Sequence, residues 1–389
     1  MTPRTATPTD TAGARIRVAY FVSPSRHFAG IERVVHEIAT GLVELYGDVI
    51  DVHVVFASGY DEPMLGDTRY HLHVLGVSRL RSLAQRLRSF VADMDFDVFI
   101  CPQVEATVVA WLATRGLGIP LFVSHLHGNP RLEEAEGTKR TKLAFAVFRH
   151  LVCRRLACVI AVSPSLRDYA AGRIARHTTV YFAKNPVREL TGDRASSPRD
   201  DCFHFVNVAR LSRQKGQDIL LRALALARSE LPPVTLTLVG SGPDETELRQ
   251  LATELGVDDL VVFAGYTSDP APHFAQADCF VLSSRWEGFG IVLVEALQYG
   301  VPLLAVDCEF GPADVITDDR IGELVAAGSA EALAGGLRRA ARRSRDAGDA
   351  HYRREIARGY LRDSATGMHY EIILKLVSAQ SHDGSYKAV

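Results

Sequence analysis

The chain is predicted to be an α/β protein built from two doubly wound parallel sheets, and three observations predict it. Short β-type runs alternate with amphipathic helical stretches through both halves. The strands run out into loops rich in glycine, proline and polar residues, where ligands bind in open parallel sheets. With 389 residues, 47% of them hydrophobic, the chain fills two cores more naturally than one.

In the first half, the opening strand is Ile16 to Val22, followed by the loop SPSRHFAG. A helix then runs from about Ile31 to Leu45, with Ile31, Val34, Val35, Ile38 and Leu42 on one face. Strands follow at Val49 to Phe56 and Tyr70 to Leu75, joined by a turn with Asp61, Pro63 and Gly66. A helix over Leu80 to Asp93, a strand at Val98 to Cys101 and a helix through Leu112 come next. The strand Leu121 to Ser124 then delivers His125, His127, Gly128 and Asn129 into the loop beyond its carboxyl end.

Thr138 to Leu156 reads as a single basic helix, with two readings: a helix against an anionic membrane or acidic partner, or a core-facing helix with solvated lysines and arginines. Strands at Cys158 to Val162 and Val180 to Phe182 flank a helix that starts near Ser163 and Pro164. The polar run ending at Asp201 is the best linker. The expected organisation is therefore a leader at 1–15, a first domain at 16–188, a linker at 189–201, a second domain at 202–361, and a terminal segment at 362–389 whose helix, over Tyr370 to Leu376, returns toward the first domain before a frayed tail.

The second half repeats the alternation. Strands are expected at Phe203 to Ala209, Val234 to Val239, Val261 to Ala264 and Cys279 to Leu282, with helices at Gln217 to Ala227, Glu245 to Leu255 and Pro272 to Ala277. Helices over Ala330 to Arg343 and Ala350 to Leu361 close the domain.

A net charge of -2 gives no general argument for nucleic acid. The six cysteines form no CxxC pair, and most sit in apolar runs, as reduced buried thiols do. The polar leader lacks a signal-peptide core, and no apolar run approaches the roughly 18 residues of a membrane span. A cytoplasmic chain is the expectation, touching at most the inner face of a membrane.

Two stretches carry chemistry. In Ser283 to Asp314, Glu287 and Glu295 stand eight positions apart, so Glu287 belongs to the loop before a helix and Glu295 to the helix itself. If that helix begins near Phe289 or Gly290, its first turn offers backbone N–H groups to an anion. The alternative is a pair of surface glutamates around an ordinary crossover. In the second stretch, Arg210 and Lys215 share a glycine-ended loop after a strand and can both face a diphosphate; ordinary surface cations are the alternative.

Asn207 to Gly216 (NVARLSRQKG) together with Ser283 to Ala296 (SSRWEGFGIVLVEA), followed by GVPLLAVD and Gly311-Pro312, resembles the retaining nucleotide-sugar glycosyltransferases of family four. Ala29-Gly-Ile-Glu-Arg-Val-Val35 is similar to that family's Gly-Gly-x-Glu-Arg-Val-Val start, with Ala29 in place of the first glycine. The resemblance implies the GT-B fold, two Rossmann-like domains facing an interdomain cleft. It implies that Arg210 and Lys215 hold the nucleotide diphosphate, that Glu295 accepts from ribose hydroxyls, and that Glu287 lies near the donor sugar. Phe289, Gly290 and Ile291 would supply backbone contacts, Gly265 and Tyr266 would approach the base, and Gly30 would come close to the donor phosphate or acceptor. His127 would bind the donor sugar, with His125 ranked second.

The implied reaction is retaining transfer from a nucleotide sugar, UDP-linked by resemblance, to an acceptor hydroxyl on a lipid-linked glycan or a soluble small molecule. No separate cofactor and no metal is called for, because the cations and the helix end offset the diphosphate charge. Asp307 and Asp314 form no recognisable ligand set. A nucleotide-sugar epimerase or hydrolase, a phosphorylase, or a non-enzymatic nucleotide-sugar binder are the competing readings.

Overall fold

The computed structural model describes residues 15–24, 30–60, 65–77, 80–191, 202–343 and 347–382. The leader up to residue 14, Ala29, the turn residues Asp61 and Pro63, the linker from residue 192 and the tail beyond His382 lie outside the described residues. The chain divides into two compact units. One comprises the residues up to Ala161, Tyr169–Pro186 and the chain from Ala365; the other comprises Val162–Asp168 and Val187–Ser364.

The first unit holds a seven-stranded sheet of β1 (Ile16–Val22), β2 (Ile50–Phe56), β3 (His71–Val74), β4 (Val98–Pro102), β5 (Leu121–Leu126), β6 (Cys158–Ala161) and β7 (Val180–Phe182), in the order β3-β2-β1-β4-β5-β6-β7. Every pairing in it is parallel. Its inner strands are nearly continuous apolar runs because helices cover both faces: β4 and β5 are buried at every residue, while the edge strand β3 is not. Tyr20, Phe21, Phe56 and Phe99 from the sheet and Ile38 and Leu42 from the helix Gly30–Tyr46 form the core.

The second unit holds β8 (Phe203–Val208), β9 (Val234–Val239), β10 (Val261–Gly265), β11 (Cys279–Leu282), β12 (Leu303–Asp307) and β13 (Gly322–Ala326), in the order β10-β9-β8-β11-β12-β13, again all parallel. Phe205, Leu236, Leu238, Val281 and Leu304 of the strands pack on Leu220, Leu224, Leu333 and Leu337 of two helices. In each sheet the order reverses beside the first strand, so the topological switch points lie between β1 and β4 and between β8 and β11. These are the two Rossmann-like domains of the GT-B fold.

Three expectations are corrected. The strand β5 does not stop at Ser124. It continues to Leu126, because His125 pairs with Pro102 on one side and Ile160 on the other, so His125 is a buried strand residue and only His127 reaches the loop. The single helix over Thr138 to Leu156 is broken into a helix at Lys139–Val147, a widened π turn at Phe148–Val152 and a tight 3-10 turn at Cys153–Arg155. The changes of pitch let Phe148, Val152 and Cys153 all bury. Finally, the terminal helix is not limited to Tyr370 to Leu376 with a frayed run after it. It spans Arg362–His382, because Ala365, His369, Ile372 and Ile373 repeat at helical spacing and are all buried.

Candidate functional site

The second unit brings two loops together at its switch point, one after β8 and one after β11. Gly216 closes the first loop at φ 65°, a left-handed conformation that suits glycine, and a Cβ there would stand 2.1 Å from the Ser283 carbonyl oxygen. This close approach lets the loops zip. Ser283 Oγ donates to the Lys215 carbonyl at 2.8 Å, the Arg285 N–H donates to the Gln214 carbonyl at 2.7 Å, and Gln214 Nε2 donates to the Trp286 carbonyl at 3.2 Å. Beneath them Asn207 Nδ2 donates to the Val281 carbonyl at 2.8 Å, tying β8 to β11.

This frame fixes a charged centre. Lys215 Nζ lies 2.6 Å from Glu287 Oε1, and Ser284 Oγ donates to the same oxygen at 2.6 Å. Glu287 is only 6% exposed, so its charge depends on these partners. Burial, with the Glu287 charge second, pushes the neighbouring Cys308 thiol up to about 12. Glu287 therefore belongs to the loop, as its spacing from Glu295 predicts, and Glu295 to the helix Ile291–Gln298.

That helix starts one residue later than the expected range. Gly290 is its N-cap at φ 87°, ψ 63°, a backbone that only glycine adopts readily. Ile291 opens the first turn, whose leading N–H groups point out of the helix end. Phe289 is buried against Tyr360 at 5.4 Å between ring centroids, so its side chain serves the core. Glu295 lies 3.5 Å from Arg188 Nε, while Arg188 Nη1 donates to the Ser268 carbonyl at 2.9 Å.

Arg210 follows β8 with its side chain exposed; its carbonyl accepts from Gln217 Nε2 at 3.1 Å. Gly265 ends β10 with its carbonyl accepting from the Gly240 N–H at 2.8 Å, and Tyr266 beside it is exposed. Asp314 is committed elsewhere, accepting from the backbone N–H groups of Ser165 and Gly311 at 3.2 Å each.

In the first unit the histidines form a stack. The rings of His125 and His127 are 3.9 Å apart and those of His125 and His369 are 5.2 Å apart. Both nitrogens of His125 and of His127 are shielded and have no hydrogen-bond partner among the described residues. His369 Nε2 donates to the Lys184 carbonyl at 3.1 Å. Burial, reinforced by the neighbouring His369, pushes His127 down to about 3, and burial pushes His369 down to about 4, so both are neutral at pH 7. His125 is also pushed well down, first by burial and then by its neighbours His127 and His369.

Asn129 caps the helix Pro130–Glu136, accepting from the Leu132 N–H at 3.1 Å. Gly128 sits against the Glu133 carboxyl, which burial raises to about 7. Gly30 is exposed at the start of its helix with φ 28°.

Four residues escape a reading of the sequence alone. Ser284 lies inside the motif but carries no distinctive signal. Arg188 sits in the stretch assigned to the end of the first domain, and the fold places it in the second unit. His369 is 242 positions from His127. Gln103, at the end of β4, holds φ 75°, ψ 154°, and nothing in its neighbours announces a glycine-type backbone there.

Two Rossmann-like domains, each an all-parallel sheet with its own switch point, define the GT-B fold class. Residues 29–183 match the family model described as "Glycosyl transferase 4-like domain", and residues 192–358 match "Glycosyl transferases group 1". An uncharacterized glycosyltransferase of Haemophilus influenzae is 30% identical over 330 residues, covering 82% of this chain and 89% of that protein. The chain belongs to the GT-B glycosyltransferases related to the family-four nucleotide-sugar transferases.

Among solved structures, Anabaena HepE in complex with UDP and glucose is similar at 23% identity and a TM-score of 0.73, covering 93% of this chain and 99% of that one. The apo form of the lipopolysaccharide outer core galactosyltransferase WaaB is similar at 20% identity and a TM-score of 0.72, covering 92% and 99%. Other curated relatives match over a part only: 30% of this chain and 29% of an uncharacterized glycosyltransferase of Methanocaldococcus jannaschii, and 37% of this chain and 28% of a GtfA subunit of Streptococcus pneumoniae. Among the described residues, no helix is long and apolar enough to cross a membrane.

Proposed function

We propose that the chain is a retaining glycosyltransferase that moves a sugar from a UDP-sugar to an acceptor hydroxyl. The observation that carries this reading is the Lys215–Glu287 pair beside the Gly290-capped helix, with Glu295 further along that helix. In this reading Lys215, Arg210 and the helix N-terminus offset the charge of a diphosphate, and Glu295 accepts from ribose hydroxyls. The Anabaena protein bound to UDP and glucose supports UDP as the nucleotide.

As the bond from the anomeric carbon to the diphosphate oxygen lengthens, its electron pair passes to the diphosphate, and Lys215 and Arg210 stabilise the growing charge. The acceptor oxygen attacks the same face of the oxocarbenium-like sugar, and its proton passes to the departing phosphate oxygen. Glu287 fixes Lys215 and borders the sugar. Neutral His127, its ring nitrogens without a partner among the described residues, hydrogen-bonds sugar hydroxyls. The charge balance at the diphosphate needs no metal ion.

The acceptor is a lipid-linked glycan or a soluble small molecule. Exposed Leu143 and Leu151 stand among exposed Lys139, Arg140, Lys142, Arg154 and Arg155, a composition that fits peripheral contact with anionic lipid. The purified chain is to be incubated with a panel of nucleotide sugars and acceptors, and both products identified by mass spectrometry, with nuclear magnetic resonance reading the anomeric configuration. Acceptor-dependent formation of UDP and a retained glycoside, undiminished by chelator, is expected. Donor consumption without a modified acceptor would replace transfer by hydrolysis or epimerisation.

A further inference from the structure

The outer edge of the first sheet carries a cluster apart from the residues proposed for sugar transfer. Strand periodicity puts Asp51 and His53 on one face of β2, and His71 and His73 on one face of the edge strand β3. Parallel pairing then sets His53 directly opposite His71, with Asp51 two residues back on β2 and His73, opposite Val55, two residues on along β3, so the four side chains form a staggered grid. Asp51 Oδ1 lies 3.0 Å from His71 Nε2, and Asp51 Oδ2 lies 3.2 Å from His53 Nε2. One ligand atom from each of Asp51, His53 and His71 falls within 4.8 Å of the others. Ligands at zinc–nitrogen and zinc–oxygen bond lengths of about 2.0 Å on a tetrahedron stand roughly 3.3 Å apart, so the grid needs only small side-chain shifts to close on an ion.

The surroundings support the same reading. His53 Nδ1 faces His73 Nε2 at 3.0 Å. With the proton on Nδ1 this bond leaves the Nε2 lone pair of His53 directed at the cluster, the outer-shell arrangement that fixes the tautomer of metal-bound histidines. Phe96 packs edge-on against His53 and Phe90 against His73, giving an apolar back wall. His71 is exposed, which provides an entry path and room for a water ligand. The nearby cation, Arg17, is turned to Asp95 at 2.6 Å.

We propose that Asp51, His53 and His71 bind a late first-row divalent cation of the zinc class, with His73 as the outer-shell partner of His53. The site lies toward the amino-terminal ends of the strands, away from the ends that carry the histidine stack. Its ion would clip the short edge strand β3 to β2, a structural role rather than a catalytic one. Two histidines and one carboxylate suit zinc, nickel or copper and not magnesium or calcium, which take oxygen ligands. The sequence signal is the pair Asp51-x-His53 and His71-x-His73, legible only once the two strands are known to pair.

The tag-free full chain, stripped with chelator and then dialysed, is to be titrated with Zn2+ by calorimetry and with Co2+ by visible absorption. One equivalent of tight Zn2+, a Co2+ ligand-field band and a rise in melting temperature on adding Zn2+ are expected. His71→Ala, an exposed position, and Asp51→Asn should each abolish all three. His73→Ala should weaken affinity about tenfold, and His351→Ala, an exposed histidine of the other unit, should change nothing. Absence of tight binding in the native chain, or binding unchanged in His71→Ala and Asp51→Asn, overturns the proposal.

Discussion

The carboxyl ends of the two sheets handle polar groups in opposite ways. At β8 and β11, Lys215, Glu287 and Glu295 each meet a partner inside the chain. At β5, the ring nitrogens of His125 and His127 are buried with no partner among the described residues. A buried polar atom left unpaired costs about 1–3 kcal/mol, so these rings weigh against the stability of the first unit. The second unit instead holds its charges in position beforehand, which under the proposed function would lower the ordering entropy lost on binding a diphosphate.

The strongest way to break this contrast is at Lys215. Lys215→Ala removes the cation proposed for the diphosphate and leaves Glu287 buried with Ser284 alone. Turnover should fall at least about a hundredfold, and the second unit should lose about 3 kcal/mol of stability. Adding Glu287→Gln removes the orphaned charge, so the double variant should regain most of the stability and none of the turnover. Trp111 lies in the first unit and Trp286 in the second, so each can serve as a fluorescence probe once the other is replaced by Phe. Full acceptor-dependent turnover by Lys215→Ala would remove this centre from the reaction. Equal stability of the single and double variants would show that the pair is not coupled.

The first unit is sharpened by pH. His369 has its folded pKa lowered from 6.5 to about 4, and His127 from 6.5 to about 3. Below pH 6.5 the unfolded chain takes up protons that the folded chain refuses, so stability is intact above that pH and is lost as pH falls toward 4. At about 1.4 kcal/mol per pH unit, His369 alone accounts for roughly 3 kcal/mol by pH 4. Glu133, raised to about 7 by burial, acts with the opposite sign, losing stability as pH rises toward 7. The difference between native chain and His369→Phe isolates the histidine. Urea unfolding followed by Trp111 between pH 4.5 and 8 should show a flatter acid limb in the variant, and identical limbs would count against neutral burial of the ring.

The same contrast decides what could be read without a structure. The second unit's site comes from two contiguous stretches, and residue type, glycine position and spacing announce both Lys215 in its loop and the division of Glu287 and Glu295 between loop and helix. Both alternating sheets were legible for the same reason, local periodicity, apart from the edge strand β13, which the sequence reading did not include. His369 reaches the histidine stack through a helix that closes the chain, Arg188 reaches Glu295 across a presumed domain end, and the Asp51–His53–His71 grid needs the pairing of β2 with β3. None of these contacts has a local signature. The break in the basic helix was hidden because the pitch changes serve burial of Phe148, Val152 and Cys153, which a regular periodic pattern does not encode.

The smallest predicted effect concerns Gln103, where the first unit resembles a strained site rather than a satisfied one. Its φ of 75° with ψ of 154° is a backbone region essentially reserved for glycine, at a cost of roughly 1–3 kcal/mol. The conformation is held from both sides: the Gln103 N–H donates to the His125 carbonyl at 2.7 Å, and its own carbonyl accepts from Thr107 Oγ1 at 2.6 Å. Gln103→Gly should relieve the strain, offset by roughly 0.5–1 kcal/mol of extra chain entropy, for a net gain of about 1 kcal/mol read by Trp111 in the Trp286→Phe background. If the side chain is held at the strand end for ligand, the stabilised variant will turn over more slowly, and its KM for donor or acceptor will rise. A variant both more stable and fully active would make the strain a by-product of joining β4 to β5, and the contrast between the two strand ends would then rest on the histidines alone.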